Sequence, residues 1–239
     1  MKPLYTPKGA AAEYGDYAIN IYTGCPHRCY YCFAPSVLRK DREIFHSVVE
    51  PRRDIVKELE KQLDREKITD KLVHLCFTCD PYPVGHDSTT TREVIKVLKA
   101  AGNHVQILTK NGYGAMCDFN LLDNKDWFGV TIAGTERQQK QGEPGAGSIV
   151  HRLIALGEAH LRGINTWVSF EPVLDAEEVY GYIKYLRHHA DKIKIGKLNY
   201  HPSDINWAEF GRKAEKLCKE YGRDCYIKDS LRKEMEATP

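Results

Sequence analysis

The amino-acid sequence predicts an α/β fold: a partial (β/α)6 TIM-type barrel with parallel strands. Three observations point there. Short, nearly continuous apolar runs alternate with amphipathic helical patterns, which is how strands buried on both faces read. About six such units fit into 239 residues, which suits a barrel or partial barrel better than an open dinucleotide-binding sheet. The fingerprint of that open sheet, G-x-G-x-x-G, is missing from the chain. A chain of this length is expected to form a single domain, 1–239, with a sizeable core. Its 42% hydrophobic and 28% charged residues are ordinary for a soluble globular protein. A net charge of +2 gives no global field toward nucleic acid or membrane.

The elements follow in order. A β-rich run over 17–22 leads into the first cysteines. Pro51 is suited to open a helix at its first position, with Ile55, Leu59 and Leu63 on one face. An apolar run over 72–78 has strand length. Ser88 is placed to cap a helix whose Val94, Val97, Leu98 and Ala101 recur at helical spacing, and Gly102 is placed to end it. Strands are predicted over 104–109 and 127–132. Ile149, Val150, Leu153, Ile154 and Leu161 mark a long helix stopped by Gly163. A strand over 166–170, a helix carrying Val179, Ile183 and Leu186, and a strand over 193–198 follow. Phe210, Ala214, Leu217 and Tyr221 face one way on the last helix, and 225–227 reads as a terminal strand. The segment 200–239 is expected to complete or cap the barrel.

In such barrels the chemistry gathers at the C-terminal ends of the strands. The residues there are Cys79, Asp80, Pro81, Tyr82 and Pro83, then Lys110, Thr131, Glu171 with Pro172, and Lys197 with Asn199. Charged and polar groups therefore cluster where a ligand would sit. Taken singly, each residue has a plainer role, such as an Asp-Pro turn or a strand terminator.

Eight cysteines accompany an N-terminus, Met1-Lys2-Pro3-Leu4-Tyr5, without an apolar leader. That reads as a cytoplasmic start, where cysteines serve metals or chemistry rather than crosslinks. No apolar run approaches membrane-spanning length. Cys25, Cys29 and Cys32 form a C-x3-C-x2-C run in the loop 24–33. A 4Fe–4S cluster normally takes four thiolates, one per iron. Three alone leave one iron open to bind and activate a ligand. Zinc held by Cys25, His27, Cys29 and Cys32 is cramped by comparison, because structural zinc sites pair their ligands with a second pair well downstream.

This spacing, with Tyr31 just before the third cysteine, resembles the signature of the radical S-adenosylmethionine enzymes. The run 20–34 is similar in particular to the spore photoproduct lyase-like branch. So are Thr78-Cys79-Asp80-Pro81-Tyr82, Thr91-Arg92, Leu108-Thr109-Lys110, Glu143-Pro144-Gly145-Ala146 and Arg152-Leu153. The resemblance runs from about residue 17 to residue 172. It implies a 4Fe–4S cluster on Cys25, Cys29 and Cys32, whose open iron chelates S-adenosyl-L-methionine. It places Tyr31 beside the adenine, Cys79 and Asp80 at the cofactor's amino end, Lys110 on its carboxylate, and Thr131 at the ribose or carboxylate. Glu171, Glu143 and Arg152 are further candidates. The implied reaction is reductive cleavage to a 5′-deoxyadenosyl radical, fed by a reductant such as flavodoxin or ferredoxin. The radical abstracts hydrogen from an unidentified substrate, with a nucleic acid or nucleotide as the guess at branch level.

The sequence also departs from that branch. Phe77 stands where the branch carries a hydrogen-donating cysteine. Cys76, one residue earlier, falls on the other face of a strand. Cys76 and Cys79, three apart on a strand, are expected on opposite faces. Cys117 stands where related sequences often have an arginine. Whether Cys76, Cys79 or Cys117 donates hydrogen or adds a ligand is left open by the sequence. Arg39, Lys40, Arg42, Arg52 and Arg53 could contact phosphates or form a solvated helix face. The rival from another class is a non-enzymatic iron–sulfur or zinc scaffold or redox sensor, with His27 as a fourth ligand.

Overall fold

The computed structural model describes residues 2–237. The strands are β1 (Leu4–Tyr5), β2 (Tyr17–Ile19), β3 (Leu72–Leu75), β4 (His104–Thr109), β5 (Trp127–Thr131), β6 (Asn165–Phe170), β7 (Lys192–Ile195) and β8 (Asp224–Ile227). They form one sheet in sequence order. β2 to β8 run parallel, and β1 adds an antiparallel edge beside β2. The sheet does not close, so the expected partial barrel is present with seven parallel strands rather than six. The seventh is the terminal run at 225–227, which pairs with β7.

Ten α-helices are described between and after the strands. They are α1 (Ala34–Leu38), α2 (Arg42–Ser47), α3 (Ile55–Glu66), α4 (Thr89–Ala100), α5 (Gly112–Ala115), α6 (Glu136–Gly142), α7 (Ile149–Leu161), α8 (Ala176–Tyr185), α9 (Trp207–Glu220) and α10 (Asp229–Ala237). Ile55, Leu59 and Leu63 of α3 are buried as their spacing predicts. Pro51 does not open that helix: it makes an isolated bridge to Tyr22, and α3 starts four residues later. α9 is not the last helix, since α10 follows β8 and packs back on it. β3 stops at Leu75, three residues short of the predicted end, because Cys76 takes a left-handed conformation, φ +70°.

Alternation sends Val73, Leu75, Val105, Ile107, Phe128, Val130, Val168 and Phe170 outward, where helices bury them. His74, Gln106, Gly129, Trp167 and Lys194 point inward. The Trp167 indole lies across Gly129, where a Cβ would fall 2.3 Å from Nε1. The indole N–H donates to the Ile107 carbonyl at 3.0 Å. The centre is filled from the N-terminal side by Tyr14, which follows a 3-10 helix at Gly9–Glu13. Its ring touches His74, Phe77 and Trp167. Its carbonyl accepts from Gln106 Nε2 at 2.6 Å, and the Glu13 carbonyl accepts from Lys194 Nζ at 2.8 Å. Residues 13 and 14 thus bond to β4 on one side and β7 on the other, spanning a barrel whose edge strands do not meet.

Candidate functional site

The cysteine loop leaves β2 and crosses the C-terminal rim of the barrel. Gly24 is required there: a Cβ would lie 2.3 Å from the Val48 carbonyl oxygen and 2.4 Å from that of Phe45. The loop is anchored by backbone bonds from Cys25 N–H to the Phe45 carbonyl, 3.1 Å, and from Tyr30 N–H to the Gly142 carbonyl, 2.9 Å. The His46 ring meets the Cys25 carbonyl at 2.8 Å. Arg42 adds a clamp that the sequence did not announce. Its guanidinium donates to the carbonyls of Cys29 at 2.5 Å, Tyr30 at 2.8 Å and Cys32 at 3.2 Å. Lys40 donates to the Thr23 carbonyl at 2.9 Å, and Arg53 pairs with Asp54 at 3.5 Å. Lys40 and Arg42 are therefore committed within the chain, whereas Arg53 stays exposed.

His27 is equally committed. Its Nε2 accepts from the Val84 amide at 3.3 Å, and its Nδ1 lies 3.5 Å from Asp80 Oδ2. Burial lowers its pKa, so the ring is neutral, with its one proton directed at the carboxylate. Neither nitrogen is left for a metal.

Asp80 organises the next layer. Its Oδ1 accepts from the Thr109 hydroxyl at 2.6 Å and the Tyr82 amide at 2.9 Å, and its Oδ2 from the Lys110 amide at 2.8 Å. Around it the 80–83 turn is fixed from several sides. Thr91 donates to the Pro81 carbonyl at 2.6 Å, and Asn111 to that of Tyr82 at 2.9 Å. The Tyr82 hydroxyl reaches Asp118 at 3.1 Å, and Arg92 holds the same carboxylate at 2.5 Å. The Thr91-Arg92 motif thus supports the turn rather than a ligand directly. Cys117 lends Arg92 its backbone carbonyl at 3.1 Å.

Tyr31 points across the rim to Glu143, with its hydroxyl bonded to that carboxylate. Glu143 is fully buried and paired with the equally buried Arg152 at 2.5 Å. Arg152 also donates to the Thr131 carbonyl at 2.8 Å and the Gly147 carbonyl at 3.0 Å. Thr131 is engaged here through its carbonyl, and its hydroxyl makes no hydrogen bond among the described residues. The Lys110 ammonium stands 5.7 Å from the Tyr31 ring centroid, also without a hydrogen-bonding partner among the described residues. Burial would lower its pKa, yet the Glu143 carboxylate beside it and Asp80 raise it, so it stays a cation. An unpaired cation at a strand end is a ready partner for a carboxylate.

Glu171 does not join this group. It turns inward to Lys228 at 2.6 Å, Tyr14 at 3.2 Å and Asn199 at 3.4 Å, against the bare face of Gly196. Lys197 lies beyond the end of β7 and pairs with Glu234. Cys79 is partly buried, and its sulfur accepts from the Tyr22 amide at 3.4 Å. Cys76 takes the preceding amide, Ile21, at 3.5 Å. The expectation that these two sulfurs lie on opposite faces is overturned, because β3 ends before either of them.

Burial pushes Cys29 up to about 12 and raises Cys25 and Cys32 as well, so all three are thiols that must shed protons to bind metal. Among the described residues no three side chains converge as a single metal ion requires. Three thiols spread along one anchored loop, with His27 occupied, fit a cluster that takes one thiolate per iron.

No protein-family model and no curated protein matches the sequence. Solved structures do. Spore photoproduct lyase complexed with dinucleoside spore photoproduct superposes with a TM-score of 0.70 at 14% identity, over 95% of this chain and 79% of that one. A mutant of that lyase with bound AdoMet and the same photoproduct gives 0.69 at 14% identity, over 94% and 78%. Streptococcus suis SuiB bound to precursor peptide SuiA gives 0.68 at 10% identity, over 92% of this chain and 51% of SuiB. The chain spans about half the length of SuiB. The shared feature is the fold: a mostly parallel, unclosed α/β barrel.

Proposed function

We propose that the chain is a radical S-adenosylmethionine enzyme. The carrying observation is the cysteine loop. Cys25, Cys29 and Cys32 sit on the C-terminal rim, and His27, in the same loop, is spent on Asp80 and Val84. Cys25, Cys29 and Cys32 would hold a 4Fe–4S cluster there, and the cluster would supply the electron for reductive cleavage of S-adenosylmethionine.

The remaining work belongs to the chain. The free Lys110 ammonium meets the cofactor's carboxylate. Asp80, with Cys79 beside it, flanks the amino end, and the Thr131 hydroxyl faces the ribose or carboxylate. Tyr31, held by Glu143, lies beside the adenine. Glu171 is assigned a different part: it balances Lys228 and ties the inner barrel to β6. The protein excludes water and oxygen from this rim and orients the reacting groups. An external reductant such as flavodoxin or ferredoxin supplies the electron.

One neighbour binds a dinucleoside lesion and another a precursor peptide, both on this fold. The phosphate reading loses Lys40 and Arg42 to contacts within the chain. A nucleic-acid or nucleotide substrate would show itself as salt-dependent binding. No helix among the described residues is long and apolar enough to cross a membrane.

The test is anaerobic reconstitution with iron and sulfide, then dithionite and S-adenosylmethionine, with 5′-deoxyadenosine as the readout. Formation that is lost in Cys25→Ala, Cys29→Ala and Cys32→Ala is the expected result. A chain carrying a full cluster that makes none would overturn the reading in favour of a scaffold or redox sensor.

A further inference from the structure

A second pair of sulfurs lies behind the rim, on residues outside the cysteine loop. Cys76 is 6% exposed and Cys79 is half-buried. Their sulfurs accept from two consecutive amides, Ile21 at 3.5 Å and Tyr22 at 3.4 Å. Both sulfurs therefore rest against the same short stretch of backbone. The arrangement depends on backbone that only a few non-glycine residues adopt. At φ +70°, Cys76 swings out of β3 and undoes the alternation that would have separated the pair.

We propose that Cys76 and Cys79 form a thiol–disulfide exchange site that takes small-molecule disulfides and closes into an intramolecular disulfide. Cys79 is the more accessible sulfur and reacts first. Burial alone would raise its pKa, but the bonds from Cys76 and the Tyr22 amide bring it below the ordinary thiol value, while Cys76 stays well above. A lowered thiol carries more of the nucleophilic thiolate. The Cys79 thiolate attacks one sulfur of the small disulfide, forms a mixed disulfide and releases one thiolate. Cys76 then gives up its proton to that thiolate and attacks the Cys79 sulfur, expelling the second thiolate. Two protein thiols are oxidised to one disulfide, and the small disulfide is reduced to two thiols.

The location gives the reaction a consequence. Tyr22 leads within three residues to Cys25, and Asp80 follows Cys79 directly. Closing the disulfide therefore acts on both segments that build the rim. The inference rests on the fold alone and stands whether or not the proposed activity does.

The experiment exploits a favourable cut. Trypsin cleaves after Lys71 and after Arg92, and the peptide 72–92 contains Cys76 and Cys79 as its sole cysteines. Reduced, folded chain is exposed anaerobically to glutathione disulfide, quenched with iodoacetamide and mapped by mass spectrometry. The expected product is peptide 72–92 lighter by its two thiol hydrogens and alkylated only after reduction. In Cys76→Ser the reaction stops with glutathione on Cys79, and in Cys79→Ser the buried Cys76 takes none. Recovery of wild-type peptide 72–92 alkylated at both cysteines after the same exposure overturns the proposal, as does its crosslinking to another cysteine peptide.

Discussion

Arg42 holds the cysteine loop through three carbonyls, and such bonds leave no trace in a residue pattern. Replacing it with Ala frees the backbone of Cys29, Tyr30 and Cys32 together. Hydrogen bonds from a charged donor contribute about 1.5–3 kcal/mol each when lost. Arg42→Ala is expected to bind several-fold less iron after anaerobic reconstitution, while its far-UV circular dichroism is unchanged. Arg42→Lys recovers part of the iron, because a point charge cannot fork across three oxygens. Full iron loading in Arg42→Ala would mean that the loop holds its shape unaided. The Tyr31–Glu143–Arg152 chain makes a sharper contrast. Tyr31→Phe leaves Glu143 with its arginine and is expected to cost about 1 kcal/mol. Arg152→Met strands a buried carboxylate and is expected to cost about 3–5 kcal/mol. Urea titrations of the two variants decide it, and equal losses would show that Glu143 does not depend on Arg152. Asp80 and Lys110 were legible in the sequence because strand ends concentrate ligand contacts. The occupation of His27 was not, because its partners, Asp80 and the Val84 amide, lie more than fifty residues away.

At the scale of elements, apolar periodicity placed β4 to the residue and β5, β6 and β8 to within one, since the helix-covered positions of the buried strands are apolar. It failed where a local backbone turn overrides composition, at the left-handed Cys76 that ends β3. It also missed α10, which buries only Leu231 completely and so shows almost no apolar face. The contact of β5 with β6 carries a constraint of another kind. Gly129 and Trp167 are register partners, and the indole fills the space that a side chain on Gly129 would need. Overpacking of a fixed core typically costs about 1–3 kcal/mol. Gly129→Ala is expected to destabilise by that amount. Combined with Trp167→Leu, it should cost less than the sum of the two single changes, because the smaller residue yields the space. A double-mutant cycle measured by thermal unfolding checks this, and strict additivity would show that the two residues are not in steric conflict.

For the whole molecule, an unclosed barrel filled with polar side chains makes stability depend on pH. His74 sits at the centre, stacked on Phe77, with Nδ1 facing Gln106 Nε2 at 3.0 Å and Lys194 and Lys228 nearby. Burial first, then the repulsion of those two lysines, holds its pKa down to about 3, against an ordinary value of 6.5. The native imidazole is therefore neutral across the working range. Below pH 6.5 the unfolded chain takes a proton that the folded chain refuses. Its contribution is thus complete above that pH and is lost as pH falls toward 3. The slope for one such group approaches about 1.4 kcal/mol per pH unit, or roughly 2 kcal/mol between neutrality and pH 5. His27, also lowered by burial, adds in the same direction. His74→Gln keeps an acceptor for Gln106 and has nothing to protonate. Urea unfolding between about pH 5 and pH 7.5 should give this variant a shallower dependence, by nearly one proton at the acid end. Identical slopes would mean that His74 titrates near its ordinary value and that the barrel centre admits water, a result at odds with the seal formed by Tyr14 and Trp167.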